Sequence, residues 1–197
     1  MPVMSAIEGA FCRSTPWQSF ARRAVLPWAL DGHPLAGEVL EIGGGSGAMA
    51  VGVVRSSPNA RLTMTDVDAA MVDSARTRLA AYATVNVEVA DVTSLPFVTG
   101  RFDVVTSYLM LHHVIDWVDA LTEVSRVLGP GGAFIGYDLT DTRSARWIHK
   151  ADGSPYLMIA PDALADELAV AGFNEIKIRR SARGHLMRFH GRKPAEG

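Results

Sequence analysis

Apolar positions along the chain recur with two different periods. Near the N-terminus the spacing is helical: Trp17, Phe20, Ala21, Ala24, Val25 and Trp28 fall on one face. Thr15 can cap this helix, Pro16 suits its first position, and Gln18 completes a capping box. Pro27 is expected to end or kink it, because proline lacks the N–H that the helix ladder needs.

From residue 37 onward, short apolar runs alternate with amphipathic ones. "EVLEI", "ARLTMTD", "VNVEVAD", "RFDVVTSYLM" and "AFIGYDL" read as strands. "SGAMAVGVVRSS", stopped by Pro58, reads as a helix. "DAAMVDSARTRLAAYA" is another, with Met71, Ala75, Leu79 and Tyr82 on its apolar face and Asp68 as its cap. "DWVDALTEVSRVL" is a third, with Trp117, Leu121, Val124 and Leu128 aligned, and "GPGG" is a turn. "PDALADELAVAG" is a fourth, with Pro161 in its first turn and Gly172 as its stop. "NEIKIRR" and "HLMRFHGR" then follow with too little chain between them for a crossover helix, so they should pair antiparallel.

Strands alternating with helices imply a parallel sheet covered on both faces. The expected fold is α/β, Rossmann-like and doubly wound. Its sheet is seven-stranded and mostly parallel, with the last strand antiparallel. The 197 residues suit one domain. Within it, residues 1–36 read as an N-terminal helical cap and 37–139 as a cofactor-binding core. Residues 140–160 read as a candidate substrate lid, and 161–197 as the C-terminal helix and antiparallel strand pair.

Composition narrows the partners more than the fold. Hydrophobic residues make up 48% and the net charge is −2, so no global charge draws the chain to nucleic acid or anionic lipid. Cys12 is the only cysteine, which excludes an internal disulfide and a multi-cysteine zinc site. There is no run of about 18 apolar residues. Nor does the start show a basic segment leading into an apolar one. A soluble, cytoplasmic protein without a metal site is the expectation.

The glycine turn "VLEIGGGSGAMA" can be read two ways. Gly43, Gly45 and Ala48 fit G-x-G-x-x-G/A, the dinucleotide fingerprint. Glu41, Gly43, Gly45 and Gly47 fit E/D-x-G-x-G-x-G, which suits a nucleoside cofactor without a pyrophosphate. Ligands of open α/β sheets bind beyond the carboxyl ends of the strands. There, the second strand ends in Asp66, which can accept hydrogen bonds from ribose hydroxyls under either reading. The third ends in Asp91, able to accept from an exocyclic amine. The fourth ends at Ser107 and Tyr108.

The ordered series "VLEIGGGSG", "TDVD" with "MVDSAR", "VEVADVTSLPF", "FDVVTSYLMLHHV" and "EVSRVLGPGGAF" resembles the class I S-adenosylmethionine-dependent methyltransferases, most closely their small-molecule branch. The likeness is dense over about residues 37–139. It implies S-adenosylmethionine as cofactor and S-adenosylhomocysteine as product. By that resemblance Glu41 and the turn Gly43, Gly44, Gly45, Ser46 and Gly47 would lie beside the methionine part and the ribose. Asp66 would bind the ribose hydroxyls, with Val67 near the adenine. Asp91 would meet the adenine amine, with Val92 beside the ring, and Ser107 and Tyr108 would face the methionine end. Gly44 and Gly47 have a plainer reading, as sites of close helix–strand contact.

The implied chemistry is in-line methyl transfer to a small acceptor, apolar or aromatic. A general base is needed only if the acceptor keeps its proton at neutral pH. Tyr108, His112 and His113 are the candidates, with packing as the alternative role of the histidine pair. The chain lacks an Asn/Asp-Pro-Pro-aromatic motif after strand four, a Pro-Cys nucleophile and an acid cluster for magnesium there. These absences argue against amino methylation of DNA bases, cytosine C5 chemistry and catechol-type metal catalysis.

Phe11, Trp17, Phe20 and Trp28, with Trp147, His149, Tyr156 and Met158, are candidates for the acceptor pocket. They could equally cover the sheet edge. Lys177, Arg179, Arg180, Arg183, Arg188, Arg192 and Lys193 read as a solvated strand face, or else as a surface for an anionic substrate or RNA backbone. Nucleic acid is not the expected partner. Two other functions fit the letters: an NAD(P)-binding oxidoreductase and a noncatalytic S-adenosylmethionine-binding module.

Overall fold

The computed structural model describes residues 19–142, 157–181 and 184–195. A π-helical turn, Ala21–Val25, leads into α1 (Leu26–Leu30). Then come β1 (Gly37–Ile42), α2 (Ala48–Ser56), β2 (Ala60–Asp66), α3 (Ala69–Leu79) and β3 (Val85–Val89). Next are β4 (Phe102–Tyr108), a 3-10 turn at Leu111–His113, α4 (Trp117–Val127) and β5 (Leu128–Leu139). α5 (Pro161–Val170), β6 (Asn174–Arg180) and β7 (Leu186–Arg192) follow.

Among the described residues the strands form one seven-stranded sheet in the order β3-β2-β1-β4-β5-β7-β6. β7 is antiparallel to both of its neighbours and the other pairs are parallel. The order reverses between β1 and β4, which places the topological switch point, and with it the expected ligand site, at their carboxyl ends.

Strand alternation divides the core in two. Leu40, Ile42, Val105 and Phe134 face α4 and α5, with Leu121, Leu164 and Leu168 packed against them. Val39, Leu62, Met64, Val104 and Ile135 face the other way, toward Leu26, Ala50, Val53, Val72 and Ala75. Each fully buried side chain of this size contributes about 1.5–3 kcal/mol. The same alternation puts Glu41 on Val39's face of β1, buried at 1% exposure.

Three local expectations change. Pro27 does not end the first helix, which runs on to Leu30. The turn before it widens instead: the Leu26 N–H donates to the Ala21 carbonyl, five residues back. A π turn of this kind absorbs the strain of a proline inside a helix. It also rotates the apolar face, so Ala21, Val25, Leu26 and Ala29 are buried while Ala24 and Phe20 are exposed. The "GPGG" turn is part of a strand, since β5 begins at Leu128 and loops out between the pairings Phe102↔Leu128 and Val104↔Ala133. α3 ends at Leu79, short of Tyr82, whose hydroxyl accepts from the Arg55 side chain. Asp68 caps α3 as expected, accepting from the Ala70 N–H. Thr15, Pro16, Gln18, Phe11, Trp17, Trp147, His149 and Tyr156 lie outside the described residues. So does most of the candidate lid, although Met158 is half-buried.

Candidate functional site

An open cleft of about 550 Å³, mouth included, lies over the carboxyl ends of β1, β2 and β3. Gly43, Gly45, Asp66, Val67 and Val92, all anticipated from the sequence, line it. Thr65, Ala90, Leu109, Met110 and His113 complete the wall and were not anticipated as binding residues.

The glycine turn is shaped by left-handed backbone at Gly43 (φ 60°) and Gly45 (φ 55°). A Cβ at Gly43 would sit 2.0 Å from Met110 Cγ, so only glycine fits against that wall. Gly45 instead faces open space. Two hydrogen bonds fasten the turn to β2. The Gly44 N–H donates to the Thr65 carbonyl at 2.9 Å, and the Gly45 N–H donates to Asp66 Oδ2 at 2.8 Å. Gly44 lies against Met64 and Glu41, and Gly47 against Leu79 and Ala75. Neither lines the cleft, and nor does Ser46, so close packing is the visible role of both glycines.

Glu41 is the electrostatic anomaly of the molecule. Both carboxyl oxygens are buried without a hydrogen-bond partner. Burial pushes its pKa up to about 8, and the charge of Asp66 adds to that. Asp66 is raised too, chiefly by burial, against the opposing N–H groups of Asp68 and Gly45. Across the sheet, Glu41 is in register with Thr106 of β4, and Tyr108 lies two residues further along the same face. Burial first, and Glu41 second, hold the Tyr108 phenol well above its usual range. The Tyr108 ring lies 5.9 Å from Tyr137, and Tyr137 meets Trp28 edge-on at 6.2 Å. Glu41, Tyr108, Tyr137 and the half-buried Trp28 thus form an acid-and-aromatic row on this face of the sheet. Ser107 points to the opposite face and is fully buried, its hydroxyl unpartnered.

The histidine pair divides its work. His112 is 2% exposed, and its Nδ1 lies 2.5 Å from Asp138 Oδ1. The His112 backbone N–H donates to Asp138 Oδ2 at 3.2 Å, and the Leu139 N–H to Oδ1 at 2.6 Å. Asp138, missed in the sequence, therefore clamps the 3-10 turn from the end of β5. His113 lines the cleft, with its ring centroid 4.0 Å from that of His112. Leu109, at φ 58°, makes the bend that starts this turn. Asp91 sits between the lining residues Ala90 and Val92, its Oδ1 accepting from the Thr93 N–H and hydroxyl. Among the described residues no group of three or more His, Cys, Asp or Glu could hold a metal ion, and no helix is long and apolar enough to cross a membrane.

Comparison with known proteins agrees with this geometry. A family model described as a methyltransferase domain matches residues 39–132. A demethylmenaquinone methyltransferase of Clavibacter sepedonicus is 30% identical over 91% of the chain and 80% of its own length. A ubiquinone/menaquinone biosynthesis C-methyltransferase of Desulfotalea psychrophila is 38% identical over 57% of the chain. The aligned part is 45% of that relative, so the chain matches less than half the length of this one. A solved S-adenosylmethionine-dependent methyltransferase of Thermotoga maritima superposes with a TM-score of 0.77, covering 95% of this chain and 96% of its own, at 21% identity. The match along most of the Clavibacter relative, the sheet order and the glycine turn agree: the chain belongs to the class I S-adenosylmethionine-dependent methyltransferases.

Proposed function

We propose that the chain transfers a methyl group from S-adenosylmethionine to a carbon atom of a small aromatic acceptor. The observation that carries the cofactor half is the buried, unpartnered Glu41 carboxyl beside the glycine turn. An isolated buried acid costs several kcal/mol unless a ligand pairs with it, and this cofactor carries cationic groups. The residues present fit it. Asp66 is placed to accept from ribose hydroxyls, the turn at Gly43 and Gly45 leaves room for close approach, and Ala90, Val67 and Val92 give the apolar wall a purine needs.

When bound, the cofactor supplies an electrophilic methyl on a sulfonium. The protein's part is to align the acceptor and keep water out; alignment of this kind supplies about 7–11 kcal/mol. The acceptor half of the proposal rests on the aromatic row Tyr108, Tyr137 and Trp28, and on the activities for which the two quinone-pathway relatives are named. Tyr108, held protonated, serves as a hydrogen-bond donor toward an acceptor oxygen. His112 is committed to Asp138, so His113 is the imidazole placed to take the proton that an aromatic carbon releases when it gains the methyl.

Calorimetric titration with S-adenosylhomocysteine tests the cofactor half, with NAD and NADP as controls. Binding of the sulfur nucleoside alone is expected, and binding of a dinucleotide alone overturns the reading. Incubation with a naphthohydroquinone tests the acceptor half. A carbon-bound methyl in the product is expected, and an oxygen-bound methyl rejects carbon transfer.

A further inference from the structure

A second recess, away from the cleft, opens on the face of β6 and β7 beside α1. It is a shallow, open recess of about 290 Å³ when the solvent at its mouth is counted. We propose that it is a binding site for a phosphate group or a similar small oxyanion.

The register of the antiparallel pair makes the case. Arg179 of β6 lies directly opposite Arg188 of β7, and Lys177 lies directly opposite His190. Cationic side chains facing each other across a ladder repel. Arg188 is balanced: its guanidinium lies 2.8 Å from Asp31 Oδ1, donates to the Trp28 carbonyl and sits over the Trp28 ring. Lys177 and Arg179 have no ion pair among the described residues, and both are exposed at the rim.

The floor of the recess holds the second, independent observation. His190 is 7% exposed, and its buried ring nitrogens have no side-chain partner, only the Glu175 backbone beside them. Its ring stacks on His33 at 4.1 Å, and the Nδ1 of His33 is engaged by the Leu30 carbonyl. Burial first, then His33, lowers the pKa of His190 below the usual histidine range. Basic residues on an edge strand can simply guard it against pairing with another chain. That accounts for Lys177 and Arg179 taken singly. It does not account for a buried imidazole with no side-chain partner beneath them. An oxyanion seated between the rim cations would offset their repulsion and accept from the imidazole N–H at one contact point.

The test uses the whole protein and follows the His190 ring proton by NMR as inorganic phosphate is added at constant ionic strength. A saturable shift is expected. The double variant Lys177→Ala/Arg179→Ala removes only exposed side chains, so folding is retained. It should bind phosphate about tenfold more weakly or worse, with S-adenosylhomocysteine affinity unchanged. A shift that does not saturate, or equal phosphate affinity in the double variant, overturns the site. Phenyl phosphate distinguishes the sources. Tighter binding than inorganic phosphate assigns the recess to phosphate esters, and equal binding assigns it to the free ion. A single-stranded RNA that displaces phosphate with a steep salt dependence overturns the small-ligand reading.

Discussion

The two halves of the sheet make recesses in different ways. Over β1 and β2 the cleft is built at the strand ends, from turns and from acids that follow them. Over β7 and β6 the recess is built across the strand face, from alternate side chains held in register. The first is acidic and suits a ligand with cationic groups, while the second is cationic and suits an anion. Strand ends offer free backbone N–H groups and sharp turns, so a cleft there needs only a few residues close in sequence. A strand face offers no free backbone, so its chemistry comes from side chains brought opposite each other by pairing.

Substitutions can separate the two halves or show that they are coupled. The largest effect is expected where they meet, at Asp138. Asp138→Ala removes the shared acceptor of the His112 ring and of two backbone N–H groups, and should cost about 3 kcal/mol in chemical denaturation. Met110 and His113 sit on the turn that Asp138 holds, so S-adenosylhomocysteine binding should weaken as well. A stable variant with intact cofactor affinity would show that the turn does not depend on the clamp.

Next is Asp66→Ala, which removes two charge-assisted hydrogen bonds that a ribose would make. Calorimetry should show roughly a hundredfold weaker cofactor affinity, about 2.7 kcal/mol. Phosphate binding at the β6–β7 recess should be untouched. A loss at both sites would mean the halves are not independent.

Glu41 gives an effect of another kind, spread over several pH units and visible only against pH. Its pKa is raised from 4.5 to about 8, so between those values the folded chain holds a proton that the unfolded chain has released. Its contribution to stability is therefore full below pH 4.5 and is lost as pH rises toward 8. The slope is about 1.4 kcal/mol per pH unit in mid-window. Glu41→Gln should flatten this part of the stability profile. Pairing with a cationic ligand should draw the proton off, so cofactor binding near pH 7 is expected to release protons in calorimetry with buffers of different ionisation enthalpy.

Arg188→Ala should have the smallest effect. It removes a partly exposed ion pair and the cation–π contact with Trp28, worth about 1 kcal/mol together. Thermal unfolding should show that loss with cofactor affinity unchanged.

The half over β1 and β2 was the more legible from sequence because its rules are local. A glycine that must bend, an acid at the end of a strand and an apolar residue after it can each be read from neighbours in the chain. This is why Gly43, Gly45, Asp66, Val67 and Val92 were found on the cleft. Met110 was not, and His113 was named only as a candidate base, because their positions follow from the Leu109 bend and from Asp138, 25 or more residues downstream. Only the β4–β5 register, with Tyr108 opposite Tyr137, brings that carboxylate to His112. For His112 the sequence left a base and a packing role open, and it carried no sign of the carboxylate partner that holds the ring. The basic C-terminal strands illustrate the same limit. Their composition suggested a solvated face, yet Arg192 donates to the Gly131 carbonyl and Lys193 donates to those of Ser125 and Leu128. Nothing in the letters says which cation meets which carbonyl.

The widened turn at Ala21–Val25 has a consequence for how the chain can change. It amounts to one residue more than a regular helix needs, placed just ahead of Pro27. Deleting a single residue there would restore the ordinary ladder and swing the chain before it by roughly 100° about the helix axis. The direction in which Ser19 and Phe20 face is thus indexed by one position. A frame of five residues acts as the adjusting screw between the start of this helix and a sheet whose own geometry stays fixed.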